Sequence, residues 1–178
     1  WTWGDNPNGQ LGLGDTAHRS SPVQVGALTT WSSVSLANSF ALALKSDGTL
    51  WSWGNNTYGQ LGLGDAAQRS SPVQVGALTD WKQVANGGLT ETFSASVKTD
   101  GSLWTWGTNT YGQLGLGDTT SRSSPVRVGA LTDWKQVAVG AALALAIKTD
   151  GTLWAWGYNL DGRLGLGDTA HRSSPIQV

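Results

Sequence analysis

Short segments in which apolar and polar residues alternate with period two, separated by Gly-rich stretches and Asp-Gly pairs, run the length of the chain. Phe93-Ser-Ala-Ser-Val-Lys98 shows the alternation most clearly and predicts a strand. Trp81-Lys-Gln-Val84 predicts a strand before it, and Leu103-Trp-Thr-Trp106 one after it, with both indoles on one face. A fourth strand is expected at Pro125-Val-Arg-Val128, where proline at the strand start removes no needed donor. Residues 107–124 then form a long Gly-rich loop between strands three and four. Thr99-Asp100-Gly101 supplies the turn between strands two and three, as do Asp47-Gly48 and Asp150-Gly151 elsewhere. A two-residue hairpin with positive φ at both Asp and Gly is the expected form.

The pattern repeats. Trp51-Ser-Trp-Gly-Asn-Asn-Thr-Tyr-Gly-Gln-Leu-Gly-Leu-Gly-Asp65 recurs almost unchanged from Trp104 to Asp118, and more loosely from Trp1 and from Trp154, at spacings of 50, 53 and 50 residues. Four strands of this kind cannot bury their Trp, Leu and Val faces singly, so neighbouring units must stack. Periods near 50 belong to propeller blades. The expected fold is all-β: a β-propeller segment of four-stranded antiparallel blades. Cut by strands, residues 1–30 are half a blade (strands three and four), and residues 31–80, 81–133 and 134–178 are three blades of one partial propeller domain. About three and a half blades are therefore present, an open segment of a larger ring. Two copies joined end to end would place strands three and four beside strands three and four, so they would not complete a seventh blade.

The motifs Trp-x-Trp-Gly-x-Asn-x-x-Gly-Gln-Leu-Gly, Ser-Pro-x-x-Val and Lys-x-Asp-Gly-x-Leu-Trp resemble the repeats of the regulator of chromosome condensation family, over essentially the whole chain. The resemblance implies a ring that is commonly seven-bladed. It also exposes a departure: Phe40, Phe93 and Leu143 stand where that family commonly carries His.

Composition narrows the function. Charged residues are 13% of the chain, about half the usual share, with 25 Gly and 11 Trp. A net charge of −1 offers no basic footprint for nucleic acid or anionic lipid, so neither nucleic acid binding nor membrane insertion is expected. There is no Cys, hence no disulfide, thiolate metal site or Cys nucleophile, and the redox compartment stays open. Met is absent even at position 1, so the remaining blades are expected from a longer parent chain or an assembly.

Catalysis finds little footing. Gly-Gln-Leu-Gly-Leu-Gly-Asp occurs in every copy, with Arg163 for Gln in the last, and lacks the Lys-Ser/Thr of a phosphate loop. Asp15, Asp65, Asp118 and Asp168 each precede an Arg by four residues and are expected to pin the loop by ion pairing rather than to bind calcium. His18 and His171 hold equivalent loop positions with no partner histidine or carboxylate cluster, so neither a catalytic nor a metal role is assigned. Glu91 is the only Glu, and no Ser sits in a nucleophile elbow. No cofactor and no enzymatic activity are expected.

The copies differ most after Val34, Val84 and Val137, where the middle copy is three residues longer. Phe40, Phe93 and Leu143 share the register of Leu42, Ala95 and Leu145 and are assigned to the core. The tips before them, with Asn38, Ser39, Leu89, Thr90, Glu91, Thr92, Ala141 and Ala142, emerge on the same face as the loops carrying Tyr58 and Tyr111. Loops that vary on an invariant frame are the arrangement of a recognition surface, and these ten residues are the candidate binding residues. A protein partner is therefore expected, with a structural or adhesive part of a virion or cell surface as the alternative. The guanine-nucleotide exchange that the family's namesake performs on a small GTPase ranks last, because no residues carry over to such a site.

Overall fold

The computed structural model describes residues 1–27, 29–88 and 90–178. Strands β1 (Thr2–Gly4) and β2 (Arg19–Val23) form a two-stranded antiparallel half-blade. Three four-stranded antiparallel blades follow. The first is β3 (Trp31–Leu36), β4 (Phe40–Lys45), β5 (Leu50–Gly54) and β6 (Arg69–Gln74). The second is β7 (Trp81–Gly87), β8 (Phe93–Lys98), β9 (Leu103–Gly107) and β10 (Arg122–Arg127). The third is β11 (Trp134–Val139), β12 (Leu143–Lys148), β13 (Leu153–Gly157) and β14 (Arg172–Gln177). Strands are paired in chain order within each blade, and the first strand of a blade packs on the first two strands of the blade before it.

Alternation in the second strand decides how blades stack. Ser94 and Ser96 of β8 lie opposite Trp106 and Trp104 of β9, and Ala41 and Ala43 of β4 lie opposite Trp53 and Trp51 of β5. These small side chains make room for the indoles of their own blade. Trp81 meets Trp104 and Trp106 there, at centroid distances of 6.1 and 6.2 Å. The other face of β4 turns Phe40, Leu42 and Leu44 onto Trp81, Val84 and Trp106 of the second blade. The same joint is built from Phe93, Ala95 and Val97 against Trp134, Val137 and Trp156. Phe40 and Phe93 are core residues, as their register predicts, whereas Leu143 is only half-buried, because no further blade covers β12. At the other end, Val34 is 62% exposed where its counterpart Val84 is 8%, since the half-blade offers no first strand to face it.

Three local expectations are corrected. The Asp-Gly hairpins do not carry positive φ at Asp: Gly48, Gly101 and Gly151 have φ of 77°, 79° and 87°, and no described non-glycine residue is positive. The Lys98 N–H donates to the Ser102 carbonyl and the Gly101 N–H to the Lys98 carbonyl, both at 3.0 Å. The loop thus has three residues, a type I turn closed by a glycine bulge. Asp100 selects it, because Oδ1 accepts from both the N–H and the hydroxyl of Ser102, at 2.9 and 2.6 Å. The fourth strand begins at Arg122, ahead of Pro125, because Arg122 pairs with Gly107 across a break in register that accommodates Ser123 and Ser124. The first strand of the second blade runs on to Gly87, which pairs with Phe93.

A buried lysine closes each blade. Lys45, Lys98 and Lys148 place Nζ 3.5, 4.4 and 4.3 Å from the centroids of Trp51, Trp104 and Trp154. Lys98 and Lys148 also pair with Asp80 and Asp133 at 3.2 and 3.3 Å, but the position equivalent to these carboxylates is Thr30 in the first blade. Thr30→Asp is expected to supply the missing pair and stabilise the chain by roughly 0.5–1 kcal/mol, or about 1–4 °C in melting midpoint. Thermal denaturation at low and high salt checks this, since a gain that survives high salt undiminished would not be an ion pair.

Candidate recognition face

Each long loop is organised by one buried asparagine. Asn109 Nδ2 donates to the Asp118 carbonyl, Asp118 Oδ1 and the Thr120 carbonyl at 3.0, 3.1 and 3.1 Å, while its Oδ1 accepts from the Leu114 N–H at 2.9 Å. Asn6, Asn56 and Asn159 repeat the arrangement. The predicted ion pairs are present in all four copies: Asp15–Arg19, Asp65–Arg69 and Asp118–Arg122 at 2.6 Å and Asp168–Arg172 at 2.5 Å. All four carboxyls are held below the ordinary value near 3.8. The Arg19 guanidinium is the main cause at Asp15, and the N–H groups of Ala67, Thr120 and Ala170 lead at Asp65, Asp118 and Asp168. These carboxylates are engaged within their own loops. Among the described residues no three His, Asp or Glu side chains gather as a metal site would need.

The histidines take part in the same framework. Nδ1 of His18 and His171 accepts from the N–H of Asn6 and Asn159 at 3.1 and 2.9 Å, and the Ser121 hydroxyl accepts from the Asn109 N–H at 3.2 Å in their place. The imidazole stands in for a hydroxyl as a backbone acceptor.

Tips and loops meet on one face through a main-chain bond used in every blade. The N–H groups of Asn55, Thr108 and Tyr158 donate to the carbonyls of Ser39, Thr92 and Ala142 at 2.8, 3.0 and 2.9 Å. Asn38, Thr90, Ala141 and Tyr58 are exposed on this face, Ser39 is half-buried, and Ala142 and Thr92 are buried beneath it. Glu91 is half-buried, with Oε2 accepting from Gln113 Nε2 at 3.3 Å, so its carboxylate lies against the long loop of its own blade. Leu89 lies outside the described residues.

Tyr111 belongs to a cluster that sequence alone does not reveal. Its ring meets Tyr158 edge-on at 4.9 Å and His171 at 5.2 Å, His171 stacks on Tyr158 at 5.0 Å, and the Arg163 guanidinium lies 5.3 Å from the Tyr158 ring. Tyr111 comes from the second blade and the other three from the third. At the preceding joint the equivalents are Tyr58, Thr108 and Ser121, so only one joint builds an aromatic surface of this kind. Cavities of about 520, 420 and 290 Å³ also lie between blades, each walled by the Ser-Pro of one blade and the Gly-Leu of its neighbour. Their recurrence at every joint marks them as a product of blade stacking.

The family model described as regulator of chromosome condensation (RCC1) repeat matches residues 1–44, 47–89, 100–147 and 150–178, and a second model of the same description matches residues 31–60 and 134–163. Over 144 residues the chain is 35% identical to the ultraviolet-B receptor UVR8 of Arabidopsis thaliana, covering 79% of the chain and 33% of the receptor. It is similar in structure to human WBSCR16, with a TM-score of 0.85 at 28% identity, over 99% of the chain and 47% of that protein. Prp20p from Saccharomyces cerevisiae, a protein whose structure was described with its binding properties to Gsp1p and histones, superposes with a TM-score of 0.80 at 22% identity, over 99% of the chain and 45% of Prp20p. The chain spans a third of the curated relative and under half of each of these structures.

Proposed function

The chain belongs to the regulator of chromosome condensation (RCC1) repeat family, and on that premise we propose that it is a non-enzymatic scaffold that recognises a protein partner through the loop face of its blades. The observation that carries this reading is where the copies differ. Residues that build the frame recur from blade to blade: the Trp pairs, the loop asparagines, the Asp–Arg pairs and the buried lysines. Residues on the tips and long loops change, and the Ser39–Asn55, Thr92–Thr108 and Ala142–Tyr158 bonds hold those changing segments side by side. A rigid frame that presents dissimilar loops supports recognition. Tyr58, Tyr111, Tyr158 and Arg163 add the residue types that dominate interface energetics. The carboxylates of Asp15, Asp65, Asp118 and Asp168 are engaged in holding their own loops.

The tip between β7 and β8 is the part of this face most distinct in sequence. Deleting residues 88–90 brings it to the length of the other two tips. The expected result is a loss of less than about 1 kcal/mol in folding stability, because surface loops tolerate length changes, and a loss of roughly 1–3 kcal/mol in affinity for a partner captured with the parent chain. Calorimetric melting and titration of the two proteins side by side check it. Unaltered affinity would move recognition to the opposite surface, formed by Gly76-Ala-Leu-Thr-Asp80 and its equivalents.

A further inference from the structure

Among the described residues, Lys45 is the one buried lysine without a carboxylate. Its counterparts Lys98 and Lys148 hold Asp80 and Asp133 at Nζ, whereas Thr30 stands at the equivalent position and offers no acid. Lys45 is nonetheless buried as they are. Asp47, two residues on, does not take the missing place, because its Oδ1 accepts from the N–H and the hydroxyl of Thr49 at 3.0 and 2.6 Å. The ammonium leans on an indole instead. Its Nζ is 3.5 Å from the Trp51 centroid and 5.0 Å from that of Trp31, whereas Lys98 lies midway between Trp104 and Trp81, at 4.4 and 4.5 Å. A buried charge that meets only ring faces keeps much of its desolvation cost, and a carboxylate is what offsets that cost in the other two blades.

The space beside this ammonium is open. The cavity of about 520 Å³ between the half-blade and the first blade reaches Lys45, Trp31 and Trp51, and Val25, Gln24 and Pro72 continue its wall. Arg19 also borders it, but the guanidinium is engaged by Asp15 at 2.6 Å. The cavities of about 420 and 290 Å³ at the other two joints are walled by the same elements, with Trp81 and Trp104 or Trp134 and Trp154, yet Lys98 and Lys148 do not line them. What sets the first joint apart is residue 30, inside the chain. Asp80 and Asp133 show that a carboxylate can reach such a lysine from solvent, since both side chains are half-exposed while they contact a buried Nζ.

We propose that the niche at Lys45 binds a small organic carboxylate with a flat apolar body. The ligand's carboxylate takes the place that Asp80 and Asp133 fill in the other blades and accepts from Nζ, while its body lies along Trp31 and Trp51 against Val25 and Pro72. A single ammonium between indoles suits a carboxylate better than a phosphate, which is held by several donors at once, guanidinium forks and main-chain N–H groups among them. The niche lies by the turn that joins β4 to β5, at the opposite end of the blade from the variable loops, so it does not rest on the loop-face reading.

Titration calorimetry of the 178-residue chain with phenylacetate tests this, beside phenylacetamide, which has the same body without the charge. One saturable site is expected for phenylacetate, with phenylacetamide weaker by roughly tenfold or more, the scale of a charge-assisted hydrogen bond. Thr30→Asp is the decisive variant: it supplies Nζ with a built-in carboxylate and is expected to fold more stably than the parent, so a loss of binding cannot be a loss of fold. It should weaken phenylacetate by roughly tenfold or more, and Lys45→Gln should do the same. The indole N–H resonances of Trp31 and Trp51 should move with phenylacetate in the parent and stay in place in Thr30→Asp. Absence of saturable binding to the parent, or equal binding by Thr30→Asp, would overturn the proposal. A capped Gly-Glu-Gly peptide that binds more tightly than phenylacetate would overturn the small-molecule assignment and give the niche to an acidic side chain of a protein.

Discussion

Gly101→Val is expected to cost roughly twice what Gly151→Val costs, although the two glycines occupy the same position of the same turn. Both have φ near +80°, where a β-branched residue is strained by about 1–3 kcal/mol. At Gly151 nothing else lies within reach of a new Cβ, so strain is the whole effect. At Gly101 the Cβ would stand 2.1 Å from the Thr132 carbonyl oxygen, in the segment that leads into the third blade. That oxygen is main chain, and the same turn anchors the next blade through the Gly101 carbonyl, which accepts from the Trp134 N–H at 3.1 Å. Relief therefore requires moving the start of β11 and the Trp134 cluster with it, an overpacking cost of about 1–3 kcal/mol more. Urea denaturation of the two variants measures the difference, and equal midpoints would mean that the turn is not coupled to the following blade.

Asn109→Ala should destabilise the second blade by about 2–4 kcal/mol, while Arg122→Ala in the same loop costs less than about 1 kcal/mol. Asn109 is fully buried and makes four hydrogen bonds, three of them to main-chain groups of Leu114, Asp118 and Thr120. Truncation leaves the Leu114 N–H without its acceptor inside the protein, and an orphaned buried donor costs its full desolvation. Arg122 and Asp118 are bonded at the surface, where water replaces a lost partner and salt screens what remains. The two costs should therefore respond oppositely to the medium: the small one vanishes at high salt and the large one does not. Denaturation of both variants at two salt concentrations decides between this reading and one in which the ion pair holds the loop.

The glycine and asparagine cases differ in how far they could be read from residue order. The four strands of each unit and the Asp–Arg pairs were legible in the sequence because each depends on residues within one repeat. Period-two alternation needs only the pleat of its own strand, and an Asp four residues before an Arg reaches it within one loop. Recurrence at spacings of 50, 53 and 50 residues then implied stacking, since a single blade leaves its apolar faces open. The partly local features were read less well. Asp100 was recognised as a turn residue, but its bond to the Ser102 hydroxyl selects a three-residue loop that the Asp-Gly pair alone does not specify. What only the tertiary structure decided lies between repeats: Trp106 finds the Gln60 carbonyl 46 residues away, and Gln83 receives the Val137 N–H 54 residues away. Tyr111 joins Tyr158 and His171 across a joint, and Thr30 leaves Lys45 without the carboxylate its counterparts have. Such pairs are set by how one sheet lies on the next, a geometry fixed by summed packing over whole faces, so no local pattern of residues announces them.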